Sequence, residues 1–445
     1  MKGLIISGTG SGVGKTSVTT GLMSRLSKTM KVQPFKVGPD FIDPMYHSVA
    51  TGNHSRNLDT FMMGKDVIRN LVAYSSKDAD IAIVEGVRGL YEGSTGTGDE
   101  GSTADIAKIL GFPVVLVVDA RSLTRSAVAM VNGFRDFDKE IKIAGVIMNN
   151  VSGSQHERKL REAMEHYSDI EILGCVRKDK ENSLEQRYLG LKTLKTFDSK
   201  AITPLEGLTE SIDLDRLINA AEMHIPDDFD SRSPYGYADG NGLKVAVPVD
   251  EAYCFYYHDN IESMRQTGMD IIEFSPVNGD SLPNADIYYL GGGYPELFVD
   301  RISENTDFLQ GLKNVSEEGR TVIGECGGLM TMCNNIVDKS GVKHKMSGVF
   351  DAEAKMSGVR HGPCYVIADP LQANPIFKNS VKGHEYHYSD VILNKDHEFG
   401  FSMKRGVGID GSNDGLVFKK SLGTYMHQHA LSSENWVEQI KMSLK

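Results

Sequence analysis

The sequence predicts two α/β domains in one chain, the first a doubly wound parallel sheet that opens on a phosphate-binding loop. Three observations carry this. Short β-branched runs, apolar on both faces, alternate with helical patterns through the first half. The alternation breaks at a stretch rich in Pro, Gly, Asp and Ser, and it resumes beyond that stretch. At 445 residues the chain also exceeds what one hydrophobic core usually supports.

In the first domain the strand candidates are Gly3–Ser7, Ile81–Glu85, Val114–Asp119 and Ile143–Asn149, each a buried-strand pattern. Between them Ser17–Lys28, Ser102–Leu110 and Gln155–His166 read as helices. The break covers IPDDFDSRSPYGYADGNG, which carries almost no aliphatic side chain and reads as a linker. Beyond it LKVAVPV, ADIYYLGGG and TVIGECGG restart the alternation, followed by a more β-rich stretch. The expected division is 1–225, a linker over 226–242, and 243–445.

Composition excludes several classes. A formal net charge of -12 argues against a nucleic-acid surface and does not suit an anionic membrane. No apolar run approaches the roughly 18 residues of a membrane span. The apolar start, GLIIS, is too short for a signal-peptide core. The five cysteines are odd in number, scattered and without a CxxC pair, so a reducing cytoplasm is expected and any special cysteine is a nucleophile.

Gly8–Thr16 reads GTGSGVGKT between a buried strand and a helix. Backbone N–H groups of such a turn and the positive end of the helix converge on phosphate oxygens. Gly12, Gly14, Lys15, Thr16 and Ser17 are therefore candidate nucleotide contacts, with Lys15 on the outer phosphates and the Thr16 hydroxyl on magnesium. The strand Ile81–Glu85 ends in an acid, where a P-loop enzyme places a magnesium ligand, direct or through water. Glu92 follows in a loop on the same rim. Asp40 and Asp43 flank a proline turn in KVGPDFIDP and are placed to hold metal or orient a substrate, although Asp beside Pro is also ordinary turn chemistry. Asp59 in RNLDTFM reads equally as a helix cap.

In the second domain TVIGE runs into Cys326, Gly327 and Gly328 and then a helical pattern. A nucleophile on a sharp strand-to-helix turn needs such small neighbours, and a helix N-terminus behind a thiol favours thiolate. LGGGYPE upstream offers backbone N–H groups for an oxyanion site. In GTYMHQH either His427 or His429 is a candidate base, His427 the preferred one. His384 and His387 in GHEYHYS lack acidic or cysteine partners at ligand spacing.

The ordered set GTGSGVGKT, KVGPDFIDPMYH, RNLDTFM, VEGVRGLYEG, LGGGYPE, GECGGLM, GHEYHYS and GTYMHQH resembles the cobyrinic acid a,c-diamide synthase family over essentially the whole chain. That family includes relatives acting on nickel-sirohydrochlorin. The resemblance implies a dethiobiotin synthetase-like ATP domain joined to a class I glutamine amidotransferase-like domain. It implies ATP and Mg2+ on Gly12, Gly14, Lys15, Thr16 and Glu85, with Asp43 a further metal candidate. It places Asp40, Asp43, Asp59 and Glu92 near the nucleotide and the acceptor carboxylate, and makes Cys326 and His427 the catalytic pair. The implied partners are a tetrapyrrole carboxylate and glutamine, a homodimer being left open. Two other readings remain at this level: an amide ligase of the cobyric acid synthase type, and a nucleotide-binding regulatory protein with an inactive glutaminase.

One departure stands out. Class I glutaminases usually carry an acid two residues after the histidine, where this chain has His429. A cysteine–histidine pair without an orienting carboxylate is expected to be a weaker catalyst.

Overall fold

A computed structural model describes residues 2–177, 202–221, 232–236, 239–240 and 242–445. They fall into two compact units, the first ending at Pro234 and the second beginning at Tyr235. Most of the linker expected over 226–242 lies outside the described residues. Among those described, no helix is long and apolar enough to cross a membrane.

Unit 1 runs β1 (Lys2–Gly8), α1 (Lys15–Leu26), β2 (Val32–Val37), α2 (Ile42–Thr51), β3 (Arg56–Leu58), α3 (Lys65–Ser75), β4 (Ile81–Glu85) and α4 (Thr103–Leu110). It continues with β5 (Val114–Asp119), α5 (Arg125–Phe137), β6 (Ile143–Val151), α6 (Ser154–Tyr167), β7 (Ile172–Arg177), α7 (Thr203–Leu208) and α8 (Leu214–Ala220). Its strands pair in the order β3-β2-β4-β1-β5-β6-β7, all parallel. Both faces are covered, which is why these strands read as continuous apolar runs. Leu4, Ile6, Ile83, Val115 and Val117 pack under Val18 and Leu22 of α1. Each such side chain removed from water contributes about 1.5–3 kcal/mol.

The chain winds outward from β1 in both directions, so the carboxyl ends of β1 and β4 form the switch point where open α/β sheets bind ligands. Register decides what meets there. Glu85 pairs with Ile6 on one side and with Lys36 of β2 on the other, setting Lys36 and Glu85 side by side.

Unit 2 contains β8 (Lys244–Pro248), α9 (His258–Gln266), β9 (Asp270–Phe274), β10 (Ile287–Leu290), α10 (Val299–Glu304), α11 (Thr306–Glu317), β11 (Thr321–Glu325), α12 (Gly327–Met332), β12 (Asn335–Val337) and β13 (Lys343–Lys345). Then come β14 (Ala352–Pro370), β15 (Val381–Leu393), β16 (Glu398–Arg405), β17 (Asn413–Phe418), β18 (Ser421–Thr424), β19 (His427–Gln428) and α13 (Trp436–Met442). A parallel block, β9-β8-β10-β11-β18, continues antiparallel through β17, β16 and β14. One apolar layer holds Leu290, Val322, Leu329 and Phe350; the other holds Val245, Ile323, Phe401 and Trp436. β15 pairs with both β14 and β19, and its register sets His384 opposite His427.

Candidate active sites

The loop after β1 turns on glycine. Gly12 and Gly14 hold φ of 75° and 94°, left-handed values that favour glycine. At Gly14 there is no room either: a Cβ would lie 2.2 Å from Nδ2 of Asn149. That amide, at the end of β6, donates to the carbonyl of Val13 at 2.8 Å and so braces the loop. Lys15 folds back to donate to the Gly10 carbonyl at 2.9 Å. Burial, and next the Lys36 charge, lowers the Lys15 pKa to about 8.

Below the loop lies a buried charge cluster. Thr16 Oγ1 is 2.7 Å from Glu85 Oε1 and 3.2 Å from Asp43 Oδ2. Lys36 Nζ stands between the two acids, 2.6 Å from Asp43 Oδ2 and 3.0 Å from Glu85 Oε1, and also donates to the Gly86 carbonyl. His47 Nε2 reaches the other Glu85 oxygen at 2.6 Å. A carboxylate only accepts, so Nε2 carries the proton. Burial alone would raise the Glu85 carboxyl, but Lys36 and His47 hold it well below the usual range. Burial works the other way on Lys36, which Asp43 and Glu85 keep firmly protonated. Asp43 is pushed up by burial and by the adjacent Asp40, against the pull of Lys36.

The remaining candidates of unit 1 sit around this cluster. Ser17 is half-buried in the first turn of α1. Oδ1 of Asp40 accepts from the backbone N–H of Ile42 and Asp43 at 2.7 and 3.0 Å, pinning the start of α2. Glu92 is exposed, on a loop tied to β1 where the Leu90 N–H donates to the Gly8 carbonyl at 3.0 Å. Asp59 is fully buried just after β3, and its Oδ1 accepts from the N–H groups of Phe61 and Met62. It closes a turn rather than capping a helix.

In unit 2 Cys326 sits between β11 and α12 with φ 49° and ψ -95°, a left-handed φ that only a constrained turn imposes on a non-glycine residue. Its N–H donates to the Thr424 carbonyl at 2.7 Å. Glycine is needed on both sides, because a Cβ on Gly324 would meet Met332 Sδ at 2.5 Å and one on Gly328 would meet the Leu290 carbonyl oxygen at 2.3 Å. The expectation of a thiolate favoured by the helix end is corrected. α12 has six residues, Cys326 is buried, and burial followed by the nearby Glu296 and Glu325 pushes the thiol up to about 12.

His427 is reached through a turn held by Asp414, which accepts from the N–H groups of Tyr425 and Met426 at 3.0 Å each. The imidazole stacks on His384, ring centroids 5.0 Å apart and 21° from parallel. His384 meets the Tyr257 hydroxyl at 3.0 Å, and burial drives its pKa well down, so it is a neutral wall. On another side the His427 ring is so near Gly292 that a Cβ there would lie 2.4 Å from Cε1. Gly293 faces the cysteine helix, its amide nitrogen 3.2 Å from where a Cβ on Gly327 would stand.

The expectation that His427 lacks an orienting carboxylate is also corrected. Glu325, the residue before Cys326, places Oε2 3.5 Å from Nδ1 of His427 and is itself buried. His429 lies apart, fully buried, with Nε2 3.3 Å from Asp259 Oδ2 and its ring against Tyr257.

Residues 4–189 match the CobQ/CobB/MinD/ParA nucleotide binding domain, and residues 244–435 match the CobB/CobQ-like glutamine amidotransferase domain. A Methanosphaera stadtmanae protein named cobyrinate a,c-diamide synthase is 42% identical over 442 residues, covering 96% of each chain. A Methanocaldococcus jannaschii protein of the same name is 42% identical over 97% of each chain. The chain belongs to the cobyrinate a,c-diamide synthase family. It is accordingly a ligase that forms C–N bonds with glutamine as amide donor.

Among the residues that sequence reasoning singled out in this synthase family member, the structure brings together Thr16, Asp43 and Glu85 in direct contact. Sequence reasoning missed Lys36, His47 and Asn149 in unit 1 and Glu325, Asp414 and the role of His384 in unit 2. A signal existed for one of them: Glu325 is a strand-end acid in the same position on β11 that Glu85 occupies on β4. Among the described residues no group of three or more His, Cys, Asp or Glu is arranged to hold a metal ion by itself.

Proposed function

We propose that this enzyme amidates the a- and c-side-chain carboxylates of cobyrinic acid, using ATP in unit 1 and glutamine in unit 2. The observation that carries this reading is near-full-length similarity to proteins named for that reaction, in a chain that holds both a glycine-turned phosphate loop and a cysteine elbow.

In unit 1, Gly12, Gly14, Lys15, Thr16 and Ser17 take the triphosphate. Magnesium fits beside them: the Thr16 hydroxyl and the Asp43 and Glu85 carboxyls are hard oxygen donors set together, and Asp43, whose carboxyl is pushed up, is an acid that a divalent cation would deprotonate. When bound it would neutralise charge on the transferring phosphoryl group. Asp40, Asp59 and Glu92 are assigned to the acceptor side, Asp59 through the turn it closes. A macrocycle carboxylate oxygen attacks the γ-phosphorus and ADP leaves, giving an acyl phosphate. Ammonia attacks that carbonyl carbon and inorganic phosphate leaves, giving the amide.

In unit 2, His427 takes the Cys326 proton as sulfur attacks the glutamine amide carbon, and Gly293 offers its N–H to the developing oxyanion. Ammonia departs with a proton from His427, and water releases glutamate from the thioester. A thiol pushed up to about 12 is protonated at rest, so attack waits for a correctly placed base and substrate.

Two measurements test this. Incubation with ATP, magnesium, glutamine and either cobyrinic acid or nickel-sirohydrochlorin, read by mass spectrometry, should give a diamide, and the faster acceptor names the substrate. ATP consumption without amidation of either macrocycle would refute the acceptor assignment. ATP affinity, followed by calorimetry, should weaken as pH rises through about 8, because Lys15 loses the proton that pairs with phosphate. Affinity flat from pH 7 to 9.5 would remove Lys15 from the phosphate site.

A further inference from the structure

Glu296 is the acid of unit 2 that the mechanism above leaves without a task. It stands in the short 3-10 turn Pro295–Leu297 that ends the glycine run. This turn lies against the start of the cysteine helix, where a Cβ on Gly327 would meet Pro295 Cδ at 3.0 Å. The carboxylate is half-buried, and among the described residues no cation lies within ion-pair distance of it.

Other buried acids of the unit are occupied. Asp250 accepts from the N–H groups of Ala252, Tyr253 and Val277. Asp259 takes the Tyr235 hydroxyl and faces His429, and Glu385 takes the N–H groups of Val407 and Gly408. Asp414 holds the turn before His427, and Glu325 faces His427 itself. Glu296 differs from them all. Burial pushes its carboxyl up to about 7, and after burial its charge is the largest influence raising the Cys326 thiol. A half-buried acid with no cation at ion-pair distance, Lys339 acting on it only from farther off, is an incomplete ion pair.

We propose that Glu296 receives the α-ammonium of glutamine and so determines that the amide presented to Cys326 belongs to an α-amino acid. Two methylenes separate the amide carbon of glutamine from its α-carbon, about one residue of extended chain. The turn bearing Glu296 is packed against the residue that follows Cys326, which suits that span. Ammonium binding would also cancel the charge that opposes thiolate formation, so arrival of the substrate eases its own attack. The proposal rests on Cys326 as the glutaminase nucleophile.

The test compares glutamine with 4-carbamoylbutanoate, which lacks only the α-ammonium. Full-length enzyme with ATP, magnesium and cobyrinic acid is assayed for glutamate or glutarate. The wild type should prefer glutamine by about 100-fold in kcat/KM, the scale of one lost buried charge pair. Glu296→Gln and Glu296→Ala should bring that ratio to about 1, with the loss on glutamine appearing mainly in KM. A wild-type ratio near 1 overturns the proposal without any variant, as does a preference that survives in Glu296→Gln. If Cys326→Ser still hydrolysed glutamine, the nucleophile assignment would fall instead, and the two failures are distinguishable.

Discussion

Lys36→Met should destabilise unit 1 by about 3–5 kcal/mol at pH 7, because it leaves the buried Glu85 and the half-buried Asp43 without the cation they share. Lys36 is 3% exposed and Glu85 is 0% exposed, so water cannot replace the lost ammonium. His47 still meets one Glu85 oxygen, but Asp43 loses the contact at 2.6 Å that opposes its burial. The pH dependence separates this cause from lost packing. In the wild type Glu85 is held below its ordinary 4.5, so its contribution is present above that pH and is lost as pH falls further. Without Lys36 the Glu85 carboxyl joins Asp43, already raised in the wild type, above its unfolded value, so the variant should regain more stability than the wild type as pH drops from 7 to 5. Adding Glu85→Gln to Lys36→Met should restore part of the loss at pH 7, a coupling that a double-mutant cycle reads directly. Denaturant unfolding of the unit 1 transition measures all three. A cost below 1 kcal/mol, or a variant indifferent to pH, would mean that these charges are already solvated.

Why Lys36 escaped notice in the sequence is physical. β1, β4, β5 and β6 were legible because both their faces meet apolar layers and nothing interrupts the run. β2 reads VQPFKV, and its Gln33, Pro34 and Lys36 disguise a fully buried strand. Gln33 donates to the carbonyls of Pro34 and His54, and Lys36 joins the acid cluster, so each polar group is satisfied by partners distant in sequence or peculiar to the site. Pattern reasoning prices a polar residue as exposed, and here tertiary contact overrides it. The phosphate loop and the cysteine elbow, by contrast, are local: strand, glycines, reactive side chain and helix follow one another in the chain. What local reading could not supply was anything set by strand pairing. The opposition of His384 and His427 arises between β15 and β19, and the nearness of Glu325 to His427 follows from the parallel pairing of β11 with β18. The H-x-H spacing at His427 therefore misled, because the carboxylate near the histidine comes from a neighbouring strand.

Glu325→Gln tests that last point, and its effect should be large but well short of that of removing Cys326. Cys326→Ser is expected to cut glutamine-dependent amidation by about 10^4-fold or more, while added ammonia still supports product, since unit 1 needs only the free amine. A neutral amide in place of the acid keeps the shape but no longer stabilises the imidazolium that forms when His427 accepts the thiol proton. Where a carboxylate hydrogen-bonds its histidine directly, that change costs about 10^4-fold. At 3.5 Å the contact here is longer than a hydrogen bond and still of close charge–charge range, so about 10^2-fold is expected, all of it in the glutamine reaction. Reactivity of the thiol gives an independent reading. With Cys326 pushed up to about 12, alkylation by iodoacetamide in the absence of glutamine should be slow at pH 7 and should climb about tenfold per pH unit to pH 9. A rate that levels off near pH 8 would reveal a thiolate already formed at rest. If Glu325→Gln left glutamine turnover unchanged while Cys326→Ser abolished it, His427 would be held by His384 stacking and the Gly292 contact alone, and the weak pair expected from the H-x-H spacing would be the correct description after all.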